Sequence, residues 1–130
     1  MSNDSMSQAA ADVLAERQRQ VSAEGWTPEH DDEHSKGDMA MAASCYAAQA
    51  YYVPDEAKKR TCPGHWPWAF EWWKPCDTRR DLVKAGALIV AEIERLDRAA
   101  AKRAAWKACA QCSMPEHCYA YGCDESEARR

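Results

Sequence analysis

Large aliphatic residues are scarce in this chain: Leu, Ile, Val and Phe together number twelve of 130. That is well below what a conventional globular core uses, so a core of interlocking leucines and isoleucines is excluded. Alanine takes up much of the deficit, with 25 residues, and six Trp and five Tyr add bulk. Small side chains let helices approach closely, and a few large rings can then fill what remains. No apolar run is long enough to cross a membrane. Residues 1–20 lack an apolar signal core, so the expected location is the cytoplasm.

Charge is abundant but divided. Residues 1–57 carry a net −8, residues 58–107 a net +6 and the remainder −2, for a total of −4. A total so small excludes disorder driven by self-repulsion. The asymmetry has two readings: a basic surface for phosphates, or acidic and basic halves that pack against each other.

Residues 1–7 read as a polar tail. A first helix is expected from about Ser7 to Ala23, with Val13, Leu14, Arg17 and Val21 on one side and Gly25 ending it. Thr27-Pro28-Glu29 has the form of a helix start, placing His30 to His34 on a short helical turn. Ser35-Lys36-Gly37-Asp38 has capping-box spacing and should launch a second long helix to about Tyr52. That helix should bury Met39, Ala42, Ala43, Tyr46, Ala47 and Ala50. Pro54 to Pro75, with five Pro or Gly breakers inside or at its ends, reads as a long loop without regular structure. Asp77 then caps a third helix, in which Leu82, Ala85, Ile89, Ile93 and Leu96 mark an apolar face. Continued to Lys107 it would be about 46 Å long at 1.5 Å per residue, enough to project or to meet another subunit. The expected fold is all-α: a small three-helix bundle (residues 1–107) with a Trp- and Pro-rich loop, followed by a Cys-rich tail (residues 108–130).

Three constellations carry chemistry. His30 and His34, four apart on a helical turn, point the same way, and Asp31, Asp32 and Glu33 add oxygen donors. A zinc-peptidase pattern is excluded, because Asp31 stands where a catalytic Glu is needed. The second constellation is Trp66, Trp68, Trp72 and Trp73, which either roof the core or stack on a flat ligand. Lys74, Arg79, Arg80 and Lys84 follow at the start of the third helix, where free N–H groups already favour anions. The third is Cys109, Cys112, His117, Cys118 and Cys123, whose spacing is close to that of a zinc knuckle.

Several longer blocks belong together: Glu16-Arg17-Gln18-Arg19-Gln20, Glu24 to Asp32, Trp66-Pro67-Trp68, Trp72-Trp73-Lys74-Pro75 and Arg79 to Ile89. In these blocks, within about residues 12–98, the chain resembles a family of small phage and prophage proteins that carry no assigned function. The resemblance implies an accessory gene product acting in the cytoplasm of a bacterial host, such as one that counters a defence system. It supplies no catalytic residues.

The expectation for function is a binding protein without catalysis, holding a nucleotide-like or other anionic ligand. Trp66, Trp68, Trp72 and Trp73 would stack; Lys74, Arg79 and Arg80 would hold phosphate; His30, Asp31, Asp32 and His34 would close the other wall, and Trp26 is a further ligand contact. Zinc would sit on Cys109, Cys112, Cys118 and Cys123. One alternative is a divalent-metal-dependent nucleotide pyrophosphohydrolase using the acidic turn of Asp31, Asp32 and Glu33 with the third-helix carboxylates Asp81, Glu92 and Glu94, although the Glu-Glu-x-x-Glu element of that chemistry is missing. Another is an inhibitor that binds a host protein or nucleic acid. A homo-oligomer through the third helix and no membrane partner complete the expectation.

Overall fold

The computed structural model describes residues 5–58 and 62–110, with backbone alone for residues 55, 58 and 108–110. The chain forms two compact units, Met1–Arg95 and Leu96–Arg130. The first holds helices α1 (Gln8–Ala23), α2 (Pro28–Asp32), α3 (Asp38–Tyr52) and α4 (Asp55–Lys58), then a 3-10 turn (Phe70–Trp72). It also holds the first part of α5 (Thr78–Ala110), a single helix that continues into the second unit. Among the described residues there is no strand, so the fold is all-α. No described helix is long and apolar enough to cross a membrane. The zinc ligands expected at Cys109, Cys112, Cys118 and Cys123 lie outside the side chains described.

Local chemistry sets most boundaries. The Ser7 hydroxyl accepts the Ala10 N–H and starts α1. Gly25, at φ +76°, takes the left-handed conformation that stops it. The Trp26 N–H then reaches back to the Gln20 carbonyl at 3.0 Å, seating Trp26 at the end of α1. Thr27 caps α2 through its hydroxyl, with Pro28 in the first turn. Asp77 caps α5 by accepting the Arg80 N–H at 2.9 Å.

The expected capping box before α3 does not form. The cap is Gly37, at φ +83° with no side-chain hydrogen bond, and Asp38 faces His34 Nδ1 at 3.4 Å instead. Among the described residues of 54–75, α4 and the 3-10 turn are regular where a loop was expected. Pro54 directly precedes α4, and the stretch between Pro67 and Pro75 has no breaker and winds into the 3-10 turn.

The core joins α3 to α5 and to the Trp loop. Met39, Ala42, Ala43, Cys45 and Tyr46 of α3 meet Ala85, Leu88 and Ala91 of α5 and Trp73. Cys45 and Gln49 are buried where Ala47 and Ala50 were expected; Ala47 is exposed. On α5 the expected face is displaced. Ala85 is buried, but Leu82, Ile89, Ile93 and Leu96 are each about half exposed, and the inward residues are Asp81, Val83, Ala87, Leu88, Ala91 and Glu92. α1 passes close over α5 at Gly86, where a Cβ would stand 3.0 Å from Val13 Cγ2.

The contact face of α1 is polar rather than aliphatic. Its buried residues are Glu16, Arg17 and Gln20, whereas Leu14 is half exposed. Arg17 donates to Asp31 Oδ2 of α2 at 2.6 Å, to Glu94 Oε1 of α5 at 3.1 Å and to the Trp26 carbonyl at 3.2 Å. Glu16, fully buried, accepts from Arg19 at 2.7 Å and from Arg80 of α5. The Arg17–Asp31 pair, enclosed on both sides, must be kept complete, since an orphaned partner is costly. These ion pairs also show why the charge of the two halves is opposite: the acidic N-terminal region pairs with the basic start of α5.

Candidate ligand-binding cavity

The aromatic residues of the two sequence walls form one chain of rings running from core to surface. Trp73, 6% exposed, stacks on Tyr46 at 4.7 Å between centroids. Trp66 meets both edge-on, at 4.9 and 5.6 Å, and passes the contact to Trp68 at 5.4 Å. Trp68 then touches Trp26 at 5.8 Å and His34 at 5.4 Å, and His34 faces His30 at 4.9 Å. Hydrogen bonds hold the loop in this course: Trp66 Nε1 donates to the Ala69 carbonyl at 3.1 Å, and the Lys74 N–H to Tyr46 Oη at 3.3 Å. Burial pushes the Tyr46 phenol up to about 12.

At the outer end of this chain a cavity of about 300 Å³ opens between α1, α2 and the loop, lined by Glu24, Trp26, His30, His34, Trp68, Ala69 and Trp72. The volume is at the small end of ligand sites. Among the described residues its wall holds three indoles, two imidazoles and one carboxylate, and no Lys or Arg. Neither His30 Nδ1 nor Trp68 Nε1, both buried atoms, has a hydrogen-bond partner among the described residues. Trp72, on the 3-10 turn, is 42% exposed and offers its ring from the open side. The Glu24 carboxylate accepts from Arg19 at 3.2 Å, with Lys74 Nζ at 3.9 Å from its other oxygen. Lys74 Nζ also stands 5.5 Å over the Trp72 ring. The ammonium therefore sits beside two lining residues, at the rim.

Of the residues singled out from the sequence, the structure brings Trp26, His30, His34, Trp68 and Trp72 together around this cavity. It does not bring the others. Trp66 packs against the core and Trp73 is part of it. Asp31 is buried on Arg17, and Asp32 is not in the wall. Arg79 and Arg80 line a different cavity of about 380 Å³ with Asp12, Glu16, Arg19 and Asp77, and there they are engaged by Asp12 (2.9 Å) and Glu16. That second cavity has no aromatic wall. The carboxylates of the hydrolase alternative are engaged within the protein: Asp81 Oδ1 accepts the Cys76 N–H, Glu92 holds Arg95, and Glu94 and Asp31 both hold Arg17. Among the described residues no three His, Cys, Asp or Glu side chains are grouped as a metal site, so His30 and His34 gain no third ligand.

Glu24 was not singled out from the sequence. Its signal was its place directly before Gly25, whose left-handed turn carries the chain from the end of α1 into Trp26. Comparison with protein-family models, with curated proteins and with solved structures finds no match for this chain.

Proposed function

We propose that this protein is a binding protein without catalytic activity, and that the cavity between α1, α2 and the Trp loop takes a flat ring of nucleobase type. The observation that carries this reading is the wall of Trp26, Trp68 and Trp72 around a cavity of about 300 Å³. Stacking on an indole contributes roughly 1–3 kcal/mol per base and needs no particular substituent pattern. Polar groups at the same wall, Glu24, His30 and His34, would orient the ring. Lys74 is the cation placed to meet a phosphate, since Arg79 and Arg80 face elsewhere and hold carboxylates. The ligand is therefore read as a nucleoside or a nucleotide with little phosphate contact, rather than as a polyanion.

The resemblance of its sequence blocks to small phage and prophage proteins would fit an accessory role inside a bacterial host, where sequestering a nucleotide would remove a signal. A thermal-shift panel of nucleosides and nucleoside monophosphates tests the binding itself. Stabilisation is expected with at least one ring ligand, and it should fall when Trp72 is changed to Ala. No shift with any member of the panel would refute the reading.

A further inference from the structure

We infer that the cavity selects a guanine-type ring among nucleobases, an inference that rests on the ring-binding reading above. The reason is the carboxylate of Glu24, the only charged side chain in the cavity wall among the described residues. An ionised carboxylate can only accept hydrogen bonds, and its two oxygens offer about four acceptor positions. Arg19 takes one on Oε1 at 3.2 Å, and Lys74, at 3.9 Å from Oε2, is too far to take another as a hydrogen bond. Acceptor capacity thus remains on both oxygens, side by side.

Base edges differ in how they meet such a pair. Guanine presents two adjacent donors, the N1–H and the 2-amino group, which match two carboxylate oxygens in the fork geometry that makes such pairs strong. Adenine and cytosine set an amino donor next to a ring-nitrogen lone pair, so one contact is attractive and the next repulsive. Uracil has a single N–H between two carbonyl oxygens. Two adjacent acceptors on one carboxylate thus complement the guanine edge and no other common base.

Arg19 has a supporting part. It is itself held by the buried Glu16 at 2.7 Å, so it anchors the Glu24 carboxylate at the end of α1. A ligand then meets a fixed acceptor pair instead of a freely rotating side chain.

The test is a titration of the full chain by tryptophan fluorescence with guanosine, inosine, adenosine, cytidine, uridine and choline. Inosine is guanosine without the 2-amino group. Guanosine is expected to bind roughly tenfold or more tightly than inosine or adenosine. Glu24→Gln should lose that preference and gain for adenosine, because an amide offers one donor and one acceptor. Nucleosides that all bind within about threefold of one another would leave ring binding intact and overturn the guanine assignment. Binding of choline with no nucleoside would overturn both, marking the indoles as a cage for a quaternary ammonium. The wild-type ratio of guanosine to inosine decides the matter even where the variant does not fold.

Discussion

The imidazole of His34 meets the indole of Trp68 edge-on, 5.4 Å between centroids, and so joins the turn after α2 to the Trp loop. That contact closes the cavity on one side, while Trp72 on the other side is 42% exposed. The two tryptophans should therefore respond differently to removal. Trp72→Ala is expected to weaken ring binding by about 1–3 kcal/mol with little change in melting temperature. Trp68→Ala should lower both, because Trp68 also packs against the core. Calorimetry on the two variants, with and without ligand, separates these outcomes.

Arg17 is the tie between α1, α2 and α5, with donors on Asp31, Glu94 and the Trp26 carbonyl. Arg17→Ala leaves Asp31, 2% exposed, without its guanidinium. A loss of about 3–5 kcal/mol is expected in urea denaturation. Replacing the pair together, Arg17→Met with Asp31→Leu, should recover much of it, since an apolar pair has no desolvation to offset. A single-variant loss well under 1 kcal/mol would show that the pair is not what holds α2.

Gly86 lies on α5 where a Cβ would meet Val13 Cγ2 at 3.0 Å. In an exposed helix Gly→Ala gains about 1 kcal/mol, but here Val13 is β-branched and cannot swing aside freely. Gly86→Ala is therefore expected to destabilise the fold, with a melting temperature below that of the parent. In the background of Val13→Ala the same change should become stabilising. That reversal of sign in a double-mutant cycle is the check.

Tyr46 governs behaviour at high pH. Its phenol is raised from 10.0 to about 12 by burial, despite the N–H of Lys74 that it accepts. The native state thus prefers the neutral phenol, and the unfolded chain loses that proton first as pH rises. The contribution is fully present below about pH 10 and is lost between about pH 10 and 12, on the order of 2 kcal/mol in all. Denaturation midpoints measured across that range should fall more steeply for the parent than for Tyr46→Phe.

Much of this was readable in the residues themselves, where the deciding chemistry is local. Ser7, Gly25, Thr27-Pro28 and Asp77 set helix ends through neighbours a few residues away, and each acts as its type implies. Rare side chains were equally legible, since Trp26, His30, His34, Trp68 and Trp72 do meet. What escaped depends on partners distant in sequence. Arg79 and Arg80 look like phosphate ligands until α1 brings Asp12 and Glu16 against them. The aliphatic stripe of α5 misleads because α1 approaches through Gly86 and through ion pairs, leaving Ile89 and Ile93 half exposed. Glu24 is one carboxylate among 21 acidic residues, and only the fold gives it a cavity.

The most direct measurement is an NMR titration of the six tryptophan indole N–H resonances with guanosine. Trp26, Trp68 and Trp72 are expected to shift and saturate together, while Trp73, buried on Tyr46, stays in place. Saturating shifts confined to Trp73, or no indole shift at all, would contradict the proposed site.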